Sequence, residues 1–132
     1  MAADIPERFE IIEECYEFML AYAAQGLASD MGSESGRQVR EFLNRAINAL
    51  VGLPDHCAEA MGHDRPKFLD VLAADAKDSL AAMELVLAQP SISSQLIDNL
   101  NASVHLRALL TDVFLLGEVL RARQVAAQSA AS

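Results

Sequence analysis

The stretch Gly36 to Gly62, GRQVREFLNRAINALVGLPDHCAEAMG, decides how many helices the chain has. Val39, Phe42, Leu43, Ala46, Ile47, Leu50, Leu53, Cys57 and Met61 recur at spacings of three and four, which places them on one side of an α-helix. The rhythm keeps its phase across Pro54, a residue that usually ends or bends a helix. Phase outweighs the proline, so the segment reads as one long helix, about 36–62, kinked near Gly52-Leu53-Pro54, with Ser35-x-x-Gln38 as its capping box.

The flanking segments follow the same period. Upstream, Asp4-x-x-Glu7 with Pro6 in the first turn opens a helix whose apolar row is Ile5, Phe9, Ile12, Tyr16, Met19 and Ala23, ending near Gly26. The stretch from Gly26 to Gly36 holds three glycines, but no lysine follows the last of them, so it reads as an interhelical loop and not a phosphate cradle. Downstream, Asp64 is the expected cap of a third helix, about 65–88, with Phe68, Leu69, Leu72, Ala76, Leu80, Met83, Val86 and Leu87 inward. Gln89-Pro90-Ser91 ends it, and a fourth helix runs from about Ile92 to Ala126. Four helices on short connections predict an all-α, antiparallel up-down-up-down four-helix bundle: a single domain over 1–127 with a frayed tail over 128–132. In that arrangement Cys57 lies about 15 Å along the axis from the level of Cys15. A disulfide tolerates Cα separations of only about 7 Å, so the two cannot bridge.

Composition agrees. Ala (23) and Leu (18) make up nearly a third of the 132 residues, against 15 Val, Ile and Thr, a balance that favours helix over sheet. The net charge of −9 excludes a nucleic acid or an anionic membrane as the main partner, since both need a basic footprint. Residues 1–36 hold eight acids against Arg8 alone, and Glu10, Glu14 and Glu17 sit opposite the core of the first helix at spacings where like charges repel. Those three residues are the expected docking face for a partner protein. The opening residues Met1 to Arg8 lack the basic start of a secretory leader. The most apolar window, Val104 to Leu120, carries Arg107, Asp112 and Glu118 and falls short of the roughly 20 residues a membrane span needs. The expected location is the cytoplasm.

The fourth helix has two apolar faces. Leu96, Leu100, Val104, Phe114 and Leu115 form one; Leu106, Leu109, Val113, Leu116 and Leu120 form the other, at the 3-4-3-4 rhythm of a coiled-coil seam. One bundle core uses one broad stripe, so the second predicts association, and the seam from Leu106 to Leu120 is the expected homodimer interface.

Chemistry is sparse. His56, Glu59 and His63 fall on one side of a helix at spacings of three and four, a conceivable arc for zinc or another divalent metal, but on the solvated side with Glu41 and Arg45. A di-iron centre of the ferritin type would need Glu-x-x-His pairs aimed inward, and the sequence has none. His105 shares a face with Asp112 that reads as solvated, and nothing near it marks a phosphotransfer histidine. With no nucleophile and base at a readable spacing, the expectation is a non-enzymatic, self-associating interaction or regulatory bundle that needs no cofactor. The alternative is a bundle that binds a metal or small ligand through His56, Glu59 and His63.

Overall fold

The computed structural model describes residues 5–62 and 65–131, with the side chain of Ala131 outside that description. Within them the chain is all α: α1 (Ile5–Ala24), α2 (Glu34–Leu50), α3 (Leu53–Ala60), α4 (Phe68–Leu87), α5 (Ser94–Ala102) and α6 (Val104–Ala131). The caps expected at Asp4 and Asp64 lie outside the described residues.

Six helices replace the expected four, and both extra boundaries have a local cause. The long kinked helix 36–62 is two helices. Val51 is extended (φ −64°, ψ 119°), and Gly52 is left-handed (φ +71°), a conformation open to glycine at little cost. Pro54 then falls in the first turn of α3, where its missing N–H costs nothing. The apolar phase survives because Leu50, Leu53, Cys57 and Met61 all reach the same core from either side of the break. The expected fourth helix also divides. Ser103 is extended (φ −64°, ψ 143°), and its Oγ accepts from the Leu106 N–H at 3.3 Å, so α6 starts on a fresh cap. The division lets α5 lie against α1 while α6 lies against α4.

The cap of α2 also differs from the sequence reading. Ser33, not Ser35, is extended (φ −129°, ψ 153°), and its Oγ accepts from Gly36 N–H at 3.0 Å. The helix starts a little earlier because the loop folds back over it. A Cβ on Gly36 would overlap the backbone carbonyl of Asp30, so only glycine lets the loop pass.

That loop is pinned. Asp30, 7% exposed, accepts from the Ile92 N–H and from Arg40 Nε, both at 2.6 Å, and Arg40 donates onward to the carbonyls of Leu87 and Gln89. Ser94 exchanges two bonds with Leu27, and the buried Tyr22 hydroxyl donates to the Ile92 carbonyl at 2.7 Å. The connection α1–α2 and the connection α4–α5 are thereby bolted together at one end of the molecule. The hydrogen bond from Arg40, helped by that from the Ile92 N–H and by the charge of Arg40, outweighs burial and holds the Asp30 carboxyl below its ordinary range.

Ile12, Met19, Tyr22, Leu43, Leu53, Leu69, Leu72, Met83, Ile97 and Leu109 are at most 1% exposed and form one continuous core drawn from all six helices. Each such side chain contributes about 1.5–3 kcal/mol relative to exposure. Phe18 and Phe42 stack across α1 and α2 with ring centroids 4.5 Å apart, closing the side of the core. No described helix is long and apolar enough to cross a membrane.

Candidate interaction groove

Beside the packed core an open groove of about 1050 Å³ runs between α1, α3 and α6. Ile5 and Phe9 wall it from α1; Val113, Gly117 and Leu120 line the α6 side one or two turns apart. At Gly117 a Cβ would stand 3.7 Å from the Phe9 ring, an ordinary van der Waals contact, so this part of the wall has room for a small side chain. Beyond Leu120 the described side chains of α6, residues 121–130, are all exposed, and Arg121, Arg123, Gln124 and Ala127 among them line the groove opposite α1 and α3.

The rim is charged. Glu10 and Glu13 stand on the α1 side, His56 and Glu59 on α3, and Arg121 and Arg123 on α6. Burial raises the Glu13 carboxyl; Arg121 pulls it back down, while Glu17 and Glu10 push it further up. Arg121 is tethered to Glu118 at 2.7 Å along its own helix.

The structure separates the residues that sequence placed together. Of the expected docking face, Glu10 lines the groove, Glu17 is exposed away from its lining, and Glu14 leans to the other side, 3.7 Å from Arg45 on α2. Of the expected dimer seam, Leu106, Leu109, Val113 and Leu116 are at most 3% exposed inside one chain, and Leu120 is half-buried at the groove. That stripe is core, because α4 and α6 bury it against each other. The large apolar side chains left on the surface of α6 include Phe114 and Leu115, each 53% exposed, and Val119 at 44%, with Val104 and Val125 exposed nearer its ends.

Of the expected metal arc, His63 lies outside the described residues. His56 is not free to aim outward: its Nε2 accepts from the Arg8 guanidinium at 3.1 Å. An arginine is only a donor, so this nitrogen spends its lone pair on Arg8, and a cation there would face a guanidinium. Among the described residues no group of three or more His, Cys, Asp or Glu is arranged to hold a metal ion. Arg8 itself is 8% exposed and also donates to the carbonyls of Ala49 (2.9 Å) and Val51 (3.0 Å), satisfying the end of α2 where the backbone breaks. Sequence reading counted Arg8 only as a charge; its place on the apolar row side of α1, one residue before Phe9, was the available signal.

A second polar cluster sits between α4 and α6. Asp112, expected on a solvated face with His105, is 3% exposed, and its Oδ2 has no hydrogen-bond partner among the described residues. Burial, followed by the hydrogen bond and charge of Asp75, pushes its carboxyl up to about 7. His105 is exposed; its backbone carbonyl, not its ring, accepts from Ser79 on α4 at 2.8 Å. Cys15 and Cys57 are both free and buried, and burial pushes their thiols up to about 12 and about 11.

Compared with family models, with curated proteins and with solved structures, the chain matches none of them.

Proposed function

We propose that the protein is a non-enzymatic, self-associating helical module that binds another protein. The observation that supports this reading is the set of large apolar side chains left uncovered on one helix: Phe114, Leu115 and Val119 project from α6 although its opposite stripe already supplies the core. Leu85 on α4, 66% exposed, adds to the uncovered apolar surface. Exposed apolar groups concentrated on one element mark an interface more often than a solvated face. The buried, raised thiols and the engaged His56 offer no activated nucleophile.

Sedimentation equilibrium tests it. The chain should run at about twice 14.3 kDa at micromolar concentration. Leu115→Glu with Val119→Glu should give a folded monomer, since neither side chain belongs to the core. A wild-type chain that stays monomeric at ~100 µM sinks the reading. A second reading, a small-ligand site in the groove, draws on His56 and Glu59 at its rim; a ligand-dependent rise in Tm would favour it.

A further inference from the structure

We infer that α6 is an arm held closed on α4 by a proton shared between Asp75 and Asp112, and that loss of this proton lets the arm swing away about Ser103. The inference does not depend on the self-association proposed above. Three observations carry it.

The first is where buried polar groups go unmatched. Among the described residues, the buried side-chain nitrogen and oxygen atoms without a hydrogen-bond partner are Nδ2 and Oδ1 of Asn101 and Oδ2 of Asp112. They lie on α5 and α6, on either side of Ser103. Each costs the closed state free energy that water would relieve on opening. The second is the hinge. Ser103 is one extended residue between two helices, and its bonds run to Leu100, Leu106 and Arg107, its neighbours along the chain. α6 therefore keeps its own cap through a swing. Ser94 fixes the start of α5 to Leu27, and Ser79 grips the His105 carbonyl in the first turn of α6, which leaves the length beyond His105 to move.

The third is the carboxyl pair itself. Asp112, 3% exposed, meets the half-buried Asp75 of α4, and two neighbouring carboxyls in such a site do not both ionise cheaply. The surroundings supply no counter-charge. The other charged groups of α4 and α6 and the Asp98 of α5 are exposed. From α1, Arg8 is taken up by the Ala49 and Val51 carbonyls and by His56, Glu13 faces Arg121, and Glu14 faces Arg45. Asp75 is the charge that acts on Asp112. The closed arm thus holds a proton on a carboxyl pushed up to about 7, whereas the open arm returns it to water at the ordinary 3.8. Opening is suppressed in acid, grows as pH rises through that window and levels off above it. What opening uncovers is the heptad-spaced stripe of Leu106, Leu109, Val113 and Leu116, at most 3% exposed in the closed state.

Amide hydrogen exchange of the full chain, read by mass spectrometry and corrected for the intrinsic effect of pH, tests this. Between pH 5 and pH 8 the amides of residues 106–116 should lose protection by roughly ten- to 100-fold, while those of α1 and α2 keep theirs. Asp112→Asn should abolish the loss. Asp75→Asn, at a half-buried position, should shrink it, because burial of Asp112 remains when the neighbouring charge is gone. Protection in α6 that ignores pH would overturn the inference. So would a loss that survives Asp112→Asn, or one shared equally by α1 and α2, which would mean that the carboxyl pair loosens the whole fold and not an arm.

Discussion

Asp112→Asn should make the protein more stable at alkaline pH, and the size of the gain follows from where the carboxyl sits. Asp112 is 3% exposed between α4 and α6 with Asp75 as its neighbour, and its carboxyl is pushed up to about 7 from an ordinary 3.8. The sign follows from proton binding. Between about pH 4 and pH 7 the folded chain keeps a proton that the unfolded chain has released, so stability falls as pH rises through that window and levels off above it. A gap of about three pH units at 1.36 kcal/mol each sets a ceiling of about 4 kcal/mol on the loss. Asparagine has the same shape, carries no charge, and its Nδ2 can donate to the Asp75 carboxylate. The variant should therefore gain about 2–4 kcal/mol over wild type at pH 8 and close to nothing at pH 4. Urea denaturation followed by circular dichroism reads this directly: with a slope of about 2 kcal/mol/M, the midpoint at pH 8 should move up by about 1–2 M. The reasoning is refuted if the wild-type midpoint is flat from pH 4 to pH 8, or if the variant is the less stable of the two at pH 8.

Four shorter predictions accompany it. Asp30→Asn should destabilise by about 2 kcal/mol at pH 7, because it unpairs Arg40 at the bolted end; since this carboxyl is held low, its contribution is present above about pH 4 and lost as pH falls through the lowered value, so the deficit should shrink in acid melts below pH 3. Gly36→Ala should lower Tm by several degrees despite alanine's better helix propensity, because the added Cβ meets the Asp30 carbonyl; an unchanged or higher Tm in calorimetry would show that the loop can lift. Iodoacetamide at pH 8 should leave Cys15 and Cys57 unmodified in native protein and alkylate both in urea, as mass spectrometry would show, since both thiols are buried and raised. Zinc should leave Tm unchanged, because Arg8 occupies the His56 Nε2; a rise abolished by His56→Ala would revive the metal arc.

What was legible in the sequence was what a period of 3.6 can carry. The apolar rows of α1 and α4 name their buried faces: Phe9, Ile12 and Met19 on one, Leu69, Leu72, Ala76 and Met83 on the other. The breaks at Val51-Gly52 and at Ser103 were hidden, because a single residue leaving helical geometry can return the next helix to the same core and preserve the apolar rhythm. The roles of polar residues were hidden for a different reason. Arg8, Asp30 and Asp112 are charged residues held inside by partners 10 to 62 positions away, Asp112 by Asp75 on the facing helix, and no local pattern announces a distant partner. On α6 both stripes were visible, but choosing the inner one needed to know which neighbour α4 would meet; the regular seam from Leu106 to Leu116 went inside and left Phe114 and Leu115 outside.

The bolt between the two connections has a bearing on the order of events in folding. Tyr22, Asp30 and Arg40 reach Ile92 or Leu87 across 47 to 70 residues of chain, whereas the turns within each helix close locally. Contacts that span so much chain are closed only after the intervening segments have condensed, so this end should still be open at the rate-limiting barrier and shut afterwards. Damage there should appear as faster unfolding with an almost unaltered folding rate, whereas trimming Leu72 or Leu109 in the middle of the core should slow folding as well. The bolt would then act as a latch on the finished molecule, setting how long it stays shut and leaving the speed of its making to the core.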